Sequence, residues 1–217
     1  MDLDLNGLWE RAKESGWASS SGASYLFASY AEQQGWKGVE TRVGEGTTSV
    51  LRPTSRAAAH PRSISAVHGL DEQPLHVDGS HLPVPPDAVV LFSQAPNATP
   101  TNLWHFDPFS NRRAPVNDMR HGVFVVGSGP WAFLSTAWDG ERLRYDPLIM
   151  EPADARARAS AEYLNSVQTA FTPFHWEEPN TILVIDNSRV LHGRAKVAEG
   201  DGDRKLVRKT FYVEDQS

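Results

Sequence analysis

Leu75-His76-Val77-Asp78-Gly79-Ser80-His81 and, far downstream, Ile185-Asp186-Asn187-Ser188-Arg189-Val190-Leu191-His192-Gly193-Arg194 are the two stretches on which the reading of this chain turns. In extended backbone, successive side chains alternate between faces. A strand over 73–78 therefore points His76 and Asp78 one way and Leu75 and Val77 the other. An imidazole and a carboxylate then stand side by side on a rigid element, and His192 adds a second imidazole. Two histidines and one carboxylate on one face of a metal, with the opposite positions open, suit non-haem Fe(II).

Spacing alone does not select this pair. His-x-Asp recurs at His105-Phe106-Asp107, and His-x-Glu occurs at His175-Trp176-Glu177, in a chain with 8 His among 217 residues. Each of these histidines also reads as a surface or hydrogen-bonded residue, and so short a motif needs structural context. Zero Cys narrows the chemistry: disulfides and thiolate sites are excluded, so a metal here is held by His, Asp or Glu.

The bulk properties bound the rest. The chain reads as a single domain, 1–217, with residues 1–45 as a helical N-terminal extension packed on a β core. Hydrophobic content of 40% is enough for a sizeable interior. The net charge of −6 leaves no basic excess to meet phosphates, which argues against nucleic-acid and anionic-membrane partners. No run approaches the ~18 apolar residues of a membrane span. The acidic start Met1-Asp2-Leu3-Asp4 lacks the apolar stretch of a secretory signal, so a cytoplasmic location is expected.

Residues 5–36 are expected to hold two helices. Leu8, Trp9 and Ala12 share a face before Gly16, and Leu26, Phe27, Tyr30 and Ala31 share another before a C-terminal Gly35. From Thr47 the texture changes to short β-rich runs broken by Pro and Gly, clearest at 48–51, 88–92, 123–126, 131–137, 181–185 and 205–213. Residues 52–62 read as a loop with scattered basic residues, and the sequon Asn97-Ala98-Thr99 as another loop. One long helix, about 153–171, follows Pro152 with Asp154 in its first turn and an apolar stripe of Ala157, Ala161, Leu164, Val167 and Phe171. Many short strands with one supporting helix predict a β-sandwich or barrel.

The last strand carries a further signal. Alternation puts Arg204, Leu206, Arg208, Thr210 and Tyr212 on one face and Lys205, Val207, Lys209, Phe211 and Val213 on the other. Two arginines four apart, roughly 13 Å between their Cα atoms, are odd on a buried face unless an anion meets them. A guanidinium grips a carboxylate through two parallel hydrogen bonds.

Taken in order, Ser63-Ile64-Ser65-Ala66-Val67-His68-Gly69, Pro74-Leu75-His76-Val77-Asp78-Gly79, Val84-Pro85-Pro86-Asp87-Ala88-Val89-Val90-Leu91, Thr101-Asn102-Leu103-Trp104, the stretch from Asp186 to Arg194, and Arg204-Lys205-Leu206-Val207-Arg208 resemble the Fe(II)/2-oxoglutarate-dependent dioxygenases of the taurine dioxygenase and clavaminate synthase type. The resemblance runs over residues 60–213. It implies a mainly β (α+β) fold, the double-stranded β-helix or jelly roll, with N-terminal helices and one long supporting helix. It implies His76, Asp78 and His192 as Fe(II) ligands, Arg204 as the anchor of the distal carboxylate of 2-oxoglutarate, and Arg208 as a residue facing the substrate. The 52–62 loop then borders the active site. Relatives have a Thr before Leu-aromatic where this chain has Asn102, with Thr101 one residue earlier. Either side chain can donate to a carboxylate, so both are candidates for the second cosubstrate contact. The same order makes His105, Asp107, His175 and Glu177 non-ligands. It leaves His81, His68, Trp104 and His105 as candidates to line or support the substrate pocket.

The activity so implied is oxygenation of a small, anionic or amino-acid-like molecule. O2 and 2-oxoglutarate are consumed, an unactivated C–H is hydroxylated (or the product is desaturated or cyclised), and succinate and CO2 leave. Family members that halogenate lack a carboxylate at the position of Asp78, so its presence predicts oxygenation. Two other classes use the same residues. A redox-inert cupin-like isomerase or hydrolase needs no Arg204, and a non-catalytic binding jelly roll needs no metal triad.

Overall fold

The computed structural model describes residues 4–23, 26–42, 44, 46–61 and 63–213. The chain opens with α1 (Leu5–Ser15), whose first turn is capped by the Asp4 carboxylate accepting from the Gly7 N–H. Leu5, Leu8, Trp9 and Ala12 bury one face of it. Gly16, at φ 92, ends the helix and turns the chain into β1 (Trp17–Ser20). Next come α2 (Phe27–Gln33), β2 (Lys37–Val39), β3 (Thr48–Leu51), α3 (Ile64–His68), β4 (Ala88–Ser93), β5 (Asn97–His105), α4 (Val116–His121), β6 (Phe124–Val126), β7 (Phe133–Ser135) and β8 (Met150–Pro152). Then follow α5 (Ala155–Ser166), β9 (Thr172–Trp176), β10 (Thr181–Asp186), β11 (Val190–Arg194) and β12 (Leu206–Tyr212).

All pairings between these strands are antiparallel. The main sheet runs β1-β10-β4-β12-β2, with β3 also on β12; the second runs β11-β5-β9, and His76 bridges to its free edge at His192. From β3 onward the chain alternates between them. It passes from β3 in the main sheet to the His76 segment in the second, back to β4, across to β5 and β9, back to β10, across to β11 and finally to β12. That winding is a double-stranded β-helix. A small third sheet, β7-β6-β8, with α4 and α5, is inserted between β5 and β9.

The layers explain the sequence texture. Val89, Leu91, Leu183, Ile185 and Leu206 of the main sheet meet Leu103, Trp176 and Val190 of the second. On the other face of the main sheet, Ala88, Val90, Phe92, Ile182, Val184 and Phe211 pack under α1 and α2. The middle strands β4 and β10 are thus buried on both faces, which is why they read as continuous apolar runs rather than alternating ones. Leu75, Val77, Trp104, Phe106 and Leu191 on the outer face of the second sheet are covered by the insertion.

Four expectations need correction. The 1–45 region is not purely helical: β1 joins β10 and β2 joins β12, so both extend the main sheet. These strands are four and three residues long, too short to show a period. Asn97-Ala98-Thr99 is not a loop but the start of β5, hidden by Pro100, around which the register to β9 shifts. Of 131–137 only 133–135 is strand, after a 3-10 turn at 129–131. The supporting helix is shorter than 153–171: Asp154 is its N-cap, accepting from the Ala157 N–H, and a 3-10 turn at 167–169 ends it.

Candidate metal centre

The segment carrying His76 and Asp78 is extended but is not the strand expected over 73–78. Its ladder contact is the bridge between His76 and His192, whose backbones exchange hydrogen bonds of 3.0 and 2.9 Å. The Gln73 N–H also donates to the Arg194 carbonyl at 2.8 Å. Gly193 makes this approach feasible, because a Cβ there would stand 2.6 Å from the Gln73 carbonyl oxygen. The alternation expected from the sequence holds: Leu75 and Val77 enter the core, while His76 and Asp78 line a cavity.

In that cavity His76, Asp78 and His192 offer one ligand atom each, all within 4.8 Å of one another. His76 Nε2 lies 3.7 Å from Asp78 Oδ1, and His192 Nε2 lies 3.6 Å from Asp78 Oδ2. These distances are long for hydrogen bonds. They are close to the roughly 3 Å separation of adjacent donors around a metal with bonds of about 2.1 Å. The His76 Nδ1 donates to the Pro74 carbonyl at 2.9 Å, which fixes the tautomer and turns the Nε2 lone pair toward the carboxylate. The donor set fits Fe(II).

The electrostatics favour a charged carboxylate. Burial pushes the Asp78 carboxyl up, but the Arg208 guanidinium and the two imidazoles hold it well below the usual range. Burial pulls His76 down, yet Asp78 and the charge of Asp146 leave it raised above 6.5. His192 is lowered by burial, with His76 and Arg208 adding to the effect against Asp78.

The cavity measures about 330 Å³, within the usual range for a small-molecule site. Arg204, Arg208, Arg194 and Thr101 line it together with the three candidate ligands. The Arg204 guanidinium donates to the Asn97 side-chain oxygen at 3.0 Å and to the Thr99 carbonyl at 2.7 Å. Both partners are neutral. Burial, and then the neighbouring Arg194, bring its pKa down to about 10, against the pull of Asp201. Thr101 accepts a 3.2 Å hydrogen bond from the Trp176 indole, an arrangement in which its own O–H can donate into the cavity.

Four residues stand differently from expectation. Arg208 lines the cavity, but its Nη1 is held by both Asp78 oxygens, at 2.9 and 3.1 Å, rather than turned to an empty space. Asn102 and Trp104 lie on the opposite face of β5 from Thr101 and Leu103, as alternation requires. Asn102 donates to Glu72 at 3.0 Å, and the Trp104 ring packs near Phe106 and Tyr163. His81 follows the turn at Gly79 (φ 72) and is exposed, with Nε2 2.9 Å from the Thr41 carbonyl. None of Asn102, Trp104 and His81 lines the cavity.

The rival pairs stay apart from the triad. Asp107 binds the Ser110 hydroxyl and the Phe109 N–H, and His175 and Glu177 are exposed. His105 and His68 each bury an Nε2 that has no hydrogen-bond partner, and neither lines the cavity. Arg194 and Arg42 do line it, and sequence reading gave them no role. Arg194 was in view inside the downstream stretch; it braces the approach to the cavity by donating to the Gly69 and Asp71 carbonyls, each at 2.7 Å.

No family model matches the sequence, and no curated protein matches it. Solved structures do. An asparagine oxygenase in complex with Fe(II), (2S,3S)-3-hydroxyasparagine and succinate superposes with a TM-score of 0.67 at 15% identity, over 97% of this chain and 78% of that one. The non-heme iron oxygenase OrfP in complex with Fe, succinate and (3S)-hydroxy-L-Arg gives 0.73 at 14% identity, over 97% and 80%. The chain has the fold of these oxygenases. OrfP in complex with Fe and alpha-ketoglutaric acid matches over 87% of this chain at 19% identity and a TM-score of 0.67. At such identities the likeness is one of architecture, and the ligands in those structures are those proteins' own. Among the described residues, no helix is long and apolar enough to cross a membrane.

Proposed function

We propose that this chain is an Fe(II)- and 2-oxoglutarate-dependent oxygenase acting on a small, anionic or amino-acid-like substrate, with residues 1–217 as one catalytic domain. The observation that carries the reading is that His76, Asp78 and His192 share one cavity with a half-buried arginine, Arg204, whose hydrogen-bond partners among the described residues are neutral groups. A redox-inert metal site has no use for that cation. A cosubstrate carboxylate gives it a directly bonded counter-charge, where Asp201 acts only from a distance.

Bound Fe(II) would let O2 act as the oxidant, with 2-oxoglutarate and an unactivated C–H as the two reductants: one oxygen atom would leave in succinate beside CO2 and the other would enter the C–H bond. The chain supplies the geometry. His76, Asp78 and His192 hold the metal from one side. Arg204 orients the distal carboxylate of the cosubstrate, and Thr101, in place of Asn102, donates the second hydrogen bond. Arg208 steadies the Asp78 carboxylate and adds positive charge next to the substrate space. Arg52 lines the same cavity, whose only described carboxylate is Asp78, so the lining favours an anionic group on the substrate. The hydroxy-amino acids held by the asparagine oxygenase and by OrfP support an amino-acid-like substrate. A cytoplasmic location goes with this reading, since a reducing compartment keeps iron ferrous.

The test is succinate formation from 2-oxoglutarate with Fe(II), O2 and a panel of L-amino acids that includes acidic ones. Succinate that depends on Fe(II) and is lost in His76→Ala but kept in His105→Ala supports the assignment. Metal binding without any 2-oxoglutarate turnover would return the chain to the redox-inert class.

A further inference from the structure

The segment that carries two of the three candidate ligands has no strand on one side of it. Its backbone is nevertheless completely hydrogen-bonded. Leu75 donates to Gln168 Oε1 at 2.6 Å and accepts from Gln168 Nε2 at 3.1 Å. His76 exchanges both bonds with the His192 backbone. Val77 donates to the Tyr145 carbonyl at 2.8 Å and accepts from the Ser80 hydroxyl at 2.8 Å. Asp78 donates to Asn187 Oδ1 at 3.0 Å and accepts from Asn187 Nδ2 at 3.0 Å. At each end, one side-chain amide presents an acceptor to an N–H and a donor to a C=O, which is the pair a neighbouring strand would present. The amide orientation follows from these partners, since a flip would set donor against donor.

We propose that Gln168 and Asn187 are positioning residues for the metal centre, acting as side-chain substitutes for strand pairing, Gln168 on the side that has no strand and Asn187 on the β11 side beyond the single bridge, and fixing the backbone from which His76 and Asp78 project. This inference rests on the triad being a metal site, and not on the identity of the cosubstrate. Gln168 reaches Leu75 from the turn that follows α5 and also donates to the Leu164 carbonyl, so it ties the insertion to the ligand segment. Asn187 is fully buried in the turn between β10 and β11. It also donates to the Pro86 carbonyl at 2.9 Å, and its own N–H donates to the Asp87 carbonyl at 2.9 Å. Asn187 therefore links the Asp78 backbone to the start of the strand that carries His192. A well-formed metal site has ligand distances within about 0.2 Å of the preferred values. Groups that orient ligands without touching the metal commonly change affinity by about 10–100-fold.

Sequence carries a faint trace of this. Gln168 falls four after Leu164 and seven after Ala161, a polar residue on the apolar stripe of the supporting helix.

The experiment is anaerobic titration of the metal-free protein with Co(II) alone, read by its visible d–d absorption, alongside the thermal midpoint of each metal-free variant. Gln168→Met keeps the side-chain volume and removes both hydrogen bonds to Leu75, with the one to Leu164, at a partly buried position. Asn187→Asp keeps the acceptor for the Asp78 N–H and removes the donor. Met119→Ala opens the same core cluster without touching the segment's hydrogen bonds and serves as the stability control. The inference expects Co(II) binding weakened about 10–100-fold in Gln168→Met, weakened in Asn187→Asp, and a changed absorption envelope in both. It expects Met119→Ala to melt earlier and bind as wild type does. Should Gln168→Met not fold, Asn187→Asp decides. Wild-type affinity in both amide variants overturns the inference, as does a Met119→Ala loss as large as theirs. A wild-type protein that takes no Co(II) removes the metal reading itself, and the inference with it.

Discussion

β4 and β10 on one side, and residues 75–78 on the other, are two ways of holding extended chain in place. β4 and β10 pair over six consecutive positions, from Thr181 opposite Ser93 to Asp186 opposite Ala88, and every residue of both strands is buried. The ligand segment has one bridge, and elsewhere it is completed by the distant side chains Gln168 and Asn187, the Tyr145 carbonyl and the nearby Ser80 hydroxyl. The ladder is redundant, since each position repeats what its neighbours do. The ligand segment is specified group by group. The shape of the scaffold and the geometry of the site can therefore be damaged separately, and the predictions exploit that.

The largest effect is expected at the site. Removing a proposed ligand in His192→Ala should cost more than the ~100-fold that an orienting residue can cost, measured as Co(II) affinity, with the fold intact by circular dichroism. Asp78→Ala should lose the metal equally. It should also lower the stability of the metal-free protein by about 3 kcal/mol, because Arg208 is left nearly buried without its carboxylate. Urea unfolding separates the two variants. The converse case is Leu183→Ala, between the sheets, where a side chain with 0% exposure is removed. It should cost about 2–5 kcal/mol of stability, while the folded protein binds metal as wild type does.

A smaller effect should appear with pH. The His76 pKa is raised, so protons compete with the metal from above 6.5 downward rather than only below it. Affinity should fall about tenfold per pH unit once His76 is protonated, and calorimetric titration from pH 8 to pH 5.5 follows it. An affinity flat across that window would remove His76 from the ligand set. The smallest effect belongs to the exposed Arg56–Asp71 pair at 3.1 Å. Arg56→Ala should cost less than about 1 kcal/mol and leave metal binding unchanged.

What sequence could say follows the same division. The apolar runs at 88–92 and 181–185 showed the double-faced strands directly, because burial on both faces leaves a compositional mark. The shared face of His76 and Asp78 followed from alternation, which any extended backbone obeys with or without a ladder. β1 and β2 were missed because so few residues carry no period, and their strand state depends on β10 and β12 being already in place. The choice between Thr101 and Asn102 turned on which face of β5 looks between the sheets, and that is fixed by Trp176 and Leu103 packing there. His81 was drawn to the site by closeness in sequence, and the turn at Gly79 carries it away. Arg208 was read as facing the substrate; it does line the cavity, but the sequence does not show that it also grips Asp78.

The central claim is that one cavity holds both Fe(II) and 2-oxoglutarate, with Arg204 gripping the second. Anaerobic visible absorption tests it most directly, adding Fe(II) and then 2-oxoglutarate to the purified protein. The account predicts a weak charge-transfer band that needs both additions and is absent, at the same concentrations, in Arg204→Ala and in His192→Ala. Iron bound without such a band in the wild-type protein would contradict it.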